Sequence, residues 1–144
     1  MQIKRVLMII LVLTMLAVPT YANESKVIQE EKIDVSNPTT RFSNISVFYN
    51  VFEITSGGKA LLTSSITSRG TDKIKIVTYL QSYENRRWVN IKTWSTTQPG
   101  TICVLGEQWY VTSGHQYRMK SYAYVYKDNQ FLESTVFTSN TKLY

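Results

Sequence analysis

Side chains alternate along residues 117–126, YRMKSYAYVY. Tyr117, Met119, Ser121, Ala123 and Val125 form one set, apolar or small apart from the tyrosine hydroxyl; Arg118, Lys120, Tyr122, Tyr124 and Tyr126 form a second set, basic or aromatic. A period of two over this length predicts a β-strand with one face on a core and the other on solvent. The same reading extends along the chain. Residues 45–54 (ISVFYNVFEI) are rich in β-branched and aromatic side chains, and Thr55-Ser56-Gly57-Gly58 follows as a turn. Residues 59–67 place Ala60, Leu62 and Ile66 on one parity, so the two segments are expected to pair as a hairpin through the glycines.

Residues 74–83 put Ile74, Ile76, Thr78 and Leu80 on one face and Lys75, Val77, Tyr79, Gln81 and Tyr83 on the other. Residues 88–94 split into Val89 and Ile91 against Trp88, Asn90, Lys92 and Trp94. A loop of even length centred on Asn85-Arg86 sets Tyr83 opposite Trp88, Ser82 opposite Val89 and Leu80 opposite Ile91, which makes both the aliphatic and the aromatic faces continuous. Gln98-Pro99-Gly100-Thr101 reads as a turn, and residues 102–105 and 108–111 as short strands on either side of Gly106. Lys127-Asp128-Asn129-Gln130 is a hairpin signal, because Asp and Asn tolerate the left-handed region. It joins the 117–126 strand to a last strand starting at Phe131, and places Glu133 opposite Tyr124. About seven strands without a helical period predict an all-β fold, an antiparallel β-sandwich of immunoglobulin or fibronectin type, with a closed barrel as the alternative.

The start of the chain is different. Lys4 and Arg5 precede an apolar run over residues 6–18, and Thr20-Tyr21-Ala22 supplies small residues for cleavage. This is the pattern of a secretory signal peptide, 1–22, and the run is shorter than the roughly 20 apolar residues of a membrane span. Cleavage implies a secreted, extracellular protein with no stable membrane span. Residues 23–40 are polar and charged and read as a flexible leader, with a short helix as the alternative, before a domain over 41–144. Removing Lys4 and Arg5 from 16 basic residues leaves 14 against 10 acidic, a balance of +4. That balance suits attraction to anionic surfaces, but its even spread does not suggest nucleic acid.

The residue types needed for catalysis are sparse. Cys103 is the one cysteine, flanked by apolar residues, and reads as a buried, inert thiol; His115 is the one histidine and falls in a predicted turn. Glu53, Glu84, Glu107 and Glu133 lie in separate segments. No metal-ligand spacing or cofactor motif is present, so neither metal nor cofactor is expected. The chemistry lies in the aromatic positions. Tyr79, Tyr83, Trp88 and Trp94 with Lys75 and Lys92 form one candidate surface patch, and Tyr122, Tyr124 and Tyr126 with Arg118 and Lys120 form a second. Flat rings stack on sugars or partner side chains, and cations attract anionic groups. Two structural accounts compete with this: cross-strand aromatic pairs that stabilise a solvated sheet, and tryptophans packed in the sandwich core.

Gly58-Lys59-Ala60, Leu80-Gln81, Trp88, Trp94-Ser95, Gly114, Tyr117-Arg118, Val125-Tyr126, Glu133-Ser134 and a closing tyrosine occur in an order that resembles small secreted proteins of Gram-positive bacteria grouped as a domain of unknown function. The resemblance spans roughly 41–144. Arg86-Arg87 stands where members often carry glycine, and Cys103 is outside the pattern. The resemblance implies secretion and an all-β fold, and brings no established activity. Two functions are compatible with these observations: a non-catalytic binding or interaction module at or near the cell envelope, with envelope polysaccharide or a protein as partner, and a secreted effector acting on competing cells or a protein partner.

Overall fold

Two turns set the hairpins of the molecule. Asn85 and Arg86 have φ of 51° and 64°, and Asp128 and Asn129 have φ of 51° and 62°. Two consecutive positive φ values match the right-handed twist of the strands they join, so each two-residue turn closes a tight hairpin. The computed structural model describes residues 42–144, which belong to one compact unit, Thr39–Tyr144. The expected signal peptide and leader lie outside the described residues.

The strands are β1 (Ile45–Ile54), β2 (Lys59–Ser68), β3 (Lys73–Glu84), β4 (Arg87–Pro99), β5 (Ile102–Tyr110), β6 (Gln116–Lys127), β7 (Gln130–Thr138) and a short β8 (Lys142–Leu143). All pair antiparallel. A smaller sheet has the order β1-β2-β5, and a larger one the order β4-β3-β6-β7 with β8 also on β6. The 117–126 segment is therefore an interior strand, flanked by β3 and β7. The expected break at Gly106 is absent: β5 runs through the glycine in unbroken register with β2, from Lys59↔Tyr110 to Thr67↔Ile102. Gly106 lacks a positive φ, so its backbone continues the strand.

The sheets face each other as a sandwich. Ile45, Ile66, Cys103 and Leu105 from the smaller sheet meet Ile74, Ile76, Ala123 and Val125 from the larger one. Toward the other end, Phe52, Ala60 and Leu62 meet Leu80, Tyr117 and Met119. Between these two apolar clusters lies a layer of buried hydroxyls, Ser64 on β2 facing Thr78 on β3 and Ser121 on β6. Ser64 Oγ donates to Asn50 Oδ1 at 2.8 Å. Its proton is thus spent, and the two remaining protons serve the short contacts, Ser121 to Ser64 at 2.7 Å and Thr78 to Ser121 at 2.8 Å. The longer Ser64–Thr78 separation of 3.3 Å is the one left without a proton. A directed chain, Thr78 to Ser121 to Ser64 to Asn50, crosses the sandwich. It satisfies groups that would each cost about 1–3 kcal/mol if buried unpaired.

Three strands carry a one-residue bulge, and each bulge changes which face the following side chains occupy. In β4 the pairing Gln81↔Asn90 is followed by Leu80↔Lys92, leaving Ile91 as the extra residue. Tyr83↔Trp88 and Ser82↔Val89 match the sequence reading, whereas Leu80 faces Lys92 rather than Ile91. Trp94, opposite Thr78, turns inward and packs against both core clusters. In β7, Tyr126↔Phe131 is followed by Val125↔Glu133, so Leu132 is the extra residue and Glu133 sits beside the inward-facing Val125 instead of opposite Tyr124. There its carboxylate accepts three backbone N–H groups at the start of β1: Ser43 at 2.9 Å, Asn44 at 3.0 Å and Ile45 at 2.7 Å. The third bulge, at Ser46, sets the parity of β1.

Gly58, Gly114 and the closing Tyr144 meet at one corner. Gly58 has φ of 75°, and a Cβ there would lie 2.7 Å from the Tyr144 ring. Only glycine serves both constraints. Tyr144 is also tied to the His115 turn, donating its N–H to the His115 carbonyl at 3.1 Å.

Candidate functional site

The β3–β6 pairing decides the layout of the aromatic positions. These strands are distant in sequence, yet they lie side by side with Lys73↔Tyr126, Lys75↔Tyr124, Val77↔Tyr122, Tyr79↔Lys120 and Gln81↔Arg118 in register. The two expected patches are consequently one surface, the outer face of the larger sheet. β4 adds Trp88 beside Tyr83 and Thr97 beside Lys75, and β7 adds Phe131 beside Tyr126, Ser134 beside Tyr124 and Val136 beside Tyr122.

Ring contacts run across this face. Tyr79 and Tyr122 meet edge to face with centroids 6.0 Å apart, Tyr122 and Tyr124 stack at 6.3 Å, Tyr83 lies 5.1 Å from Trp88, and Tyr126 lies 6.0 Å from Phe131. Cations interleave with the rings. Lys73 Nζ is 4.9 Å from the Tyr126 ring centre, Lys120 Nζ 5.1 Å from that of Tyr122, and the Arg118 guanidinium 4.2 Å from that of Trp88. Arg118 Nε also donates to Gln81 Oε1 at 2.7 Å, and Gln81 Nε2 donates to Asn90 Oδ1 at 2.7 Å. This chain of polar groups fixes the Trp88 end of the face. Burial pulls the Arg118 pKa below its ordinary value, and the group remains a cation at any physiological pH.

Lys73, Lys75, Arg118 and Lys120 thus share a face on which the pairing of β3, β4, β6 and β7 places no carboxylate. The ion pair found among the described residues, Lys127 with Asp72 at 3.9 Å, lies beyond the Lys73 end. Asp72 and Asp128 line an open cavity of about 440 Å³ there with Lys73, Thr97, Pro99 and Asn129. Asp72 Oδ2 also accepts the Asp128 backbone N–H at 2.7 Å.

Seven of the eight residues singled out from the sequence, Tyr79, Tyr83, Trp88, Lys120, Tyr122, Tyr124 and Tyr126, lie together on this face. Trp94 does not, because the bulge at Ile91 turns it into the core. Lys92 leaves the patch for the same reason and places Nζ 3.6 Å from the centre of the Trp109 ring on β5, bridging the sheets at their edge. Sequence reasoning missed Lys73 and Phe131, which join the face through their pairings with Tyr126. The period-two parity of β3 and β7 carries the signal for both.

Cys103 and His115 occupy different regions. Cys103 is fully buried in the Ile45 cluster, where burial pushes its thiol above the usual range. His115 is exposed and, with Glu84, Trp109 and Tyr110, lines a shallow cavity of about 190 Å³ at the opposite end from Asp72. Cys103 is not among that cavity's lining residues. Glu133, next to Ser134 in β7, is committed to the β1 backbone. Among the described residues no group of three or more His, Cys, Asp or Glu is placed to hold a metal ion. The face is aromatic, hydroxyl-bearing and positively charged.

No family model, curated protein or solved structure matches the chain.

Proposed function

We propose that the protein is a secreted, non-catalytic binding module that engages an anionic, polyhydroxylated polymer of the cell envelope through the outer face of its larger sheet. The observation that carries this reading is the coincidence of four cations, seven aromatic rings and no carboxylate on one sheet face. Stacking of sugar rings on Tyr122, Tyr124 and Trp88 would supply contact area, and Lys75, exposed in the middle of the face, would supply attraction for phosphate or carboxylate groups. The sequence over 1–22 and the resemblance to secreted Gram-positive proteins support the envelope location. The β1-β2-β5 and β4-β3-β6-β7 strand orders support the fibronectin-type variant of the sandwich.

The test is co-sedimentation of the purified protein with bacterial cell-wall sacculi, intact or stripped of their phosphate polymer. Binding is expected to intact sacculi, to weaken with salt as exposed charges are screened, and to drop when the polymer is removed. Trp88→Ala and Tyr124→Ala variants that remain folded should bind less. If they bind as well as the parent, the face is not the site.

A further inference from the structure

The end of the sandwich beyond the Phe52 cluster holds a polar group that the fold does not use. Ser82 follows Leu80 on the inward row of β3 and pairs with Tyr117 on β6 and Val89 on β4. It is 2% exposed, yet its hydroxyl has no hydrogen-bond partner among the described residues. Other buried hydroxyls differ: Ser64, Thr78 and Ser121 are bonded in a chain, and Ser68 contacts Thr71. No fully enclosed side-chain oxygen or nitrogen among the described residues lacks a partner. The Ser82 oxygen therefore reaches the cavity of about 190 Å³ that this residue lines.

The neighbours define what it would bond. One step along the same row, Glu84 stands where the β3–β6 register, continued, brings it opposite His115. Both line the cavity, and neither side chain makes a hydrogen bond or ion pair among the described residues. Tyr117 Oη gives its proton to the Thr112 carbonyl at 2.8 Å and keeps its lone pairs. From the smaller sheet, Trp109 adds an aromatic wall on the β5 row that begins with the buried Cys103 and Leu105.

We propose that this cavity binds one neutral sugar unit, with hydroxyls bonded to Ser82, Glu84 and His115 and a C–H face against Trp109. The charges disfavour other guests. Lys92 Nζ lies 3.6 Å from the centre of the Trp109 ring, so the attraction this ring holds for cations is already engaged, and a cationic guest would meet a like charge. Glu84 repels an anionic one. The volume is below the roughly 300–1,000 Å³ of pockets that enclose drug-sized ligands, which suits a single ring. The site does not rest on the function proposed above, because Ser82 faces inward and the polymer face is the outer one.

Titration of the purified protein with glucose, galactose and N-acetylglucosamine, read from amide and indole NMR signals, tests this. At least one sugar should shift the Trp109 indole and the amides around Ser82 and His115, with a Kd of roughly 1–10 mM. Ser82→Ala removes no bond that the fold makes, so its unfolding temperature should match the parent's while affinity falls several-fold. Glu84→Gln, which keeps an acceptor at an exposed position, should lose less affinity than Glu84→Ala. Three results would overturn the site: no sugar moves these signals at ~50 mM, well above the expected Kd; tetramethylammonium or phosphate moves them and the sugars do not; or Ser82→Ala binds as well as the parent.

Discussion

The two outer faces of this sandwich are built from the same kind of strand and differ in what they offer solvent. On the larger sheet, cations stand over or beside rings, Lys73 on Tyr126, Lys120 on Tyr122 and Arg118 on Trp88, so a polar and an apolar surface are interleaved at the scale of single residues. On the smaller sheet, Val47, Ile102 and Val104 stand among threonines and a serine with no charge in the rows Val47–Thr67–Ile102, Tyr49–Ser65–Val104 and Val51–Thr63–Gly106. In the function proposed above the first face would hold an anionic, hydroxyl-rich partner; the second offers only area and shape. One core serves both, and its central layer of hydroxyls ties the sheets at a fixed register.

The largest test of this division concerns the two tryptophans of β4. Trp94 packs against both core clusters, so Trp94→Ala should destabilise the fold by about 3 kcal/mol. Trp88 lies on the outer face, and Trp88→Ala should cost about 1 kcal/mol or less in stability while weakening binding. Chemical denaturation of both variants measures this, and equal losses would erase the distinction between inner and outer positions. Glu133 comes next. Removing its carboxylate in Glu133→Ala strands three N–H groups at the start of β1 and should cost about 1–3 kcal/mol, with hydrogen exchange accelerated at Ser43, Asn44 and Ile45. A variant as stable as the parent would show that water replaces the carboxylate freely.

The smallest effect is alkaline. Burial raises the Cys103 thiol above its ordinary 9.0, and the Tyr117 phenol above its ordinary 10.0. For Tyr117 burial is the leading cause, assisted by Glu84, and its hydroxyl donates its proton to the Thr112 carbonyl. The folded state keeps both protons longer than the unfolded chain. Their contribution is complete below the unfolded values and is lost as pH climbs through 9 and 10 toward the folded values. Thermal unfolding scanned from pH 8 upward should show falling stability, less steep in Cys103→Val. An unchanged slope in that variant would remove the thiol from the account.

Strand existence and parity were legible because they are local: the alternation in 117–126 and the Asp128-Asn129 turn suffice for β6 and its hairpin to β7. Even the loop at Asn85-Arg86 was readable, since an even length sets Tyr83 opposite Trp88 and Ser82 opposite Val89, so that like faces meet across the hairpin. The bulges at Ile91 and Leu132 were not legible, because each is settled by packing from another sheet or strand. Trp94 gains a core position on one side, and Glu133 gains three N–H donors on the other. For the same reason the merging of two aromatic patches into one face lay outside local pattern: it depends on β3 and β6 pairing between residues 35 to 53 positions apart in the chain. Gly106 misled in the opposite direction, since a glycine on an uncovered sheet face need not interrupt its strand.

The most direct measurement compares two lysines on different faces. Lys75 stands in the middle of the larger sheet's outer face, and Lys59 lies on the smaller sheet's outer face beside Tyr110, with Nζ 5.6 Å from its ring centre. Lys75→Glu and Lys59→Glu change the net charge identically, so any nonspecific attraction to sacculi falls equally in both. Binding isotherms at fixed ionic strength should show about a tenfold loss for Lys75→Glu, roughly 1.4 kcal/mol, and little change for Lys59→Glu. Equal losses in the two variants would mean that overall charge, and not the aromatic and cationic face, is what the polymer recognises.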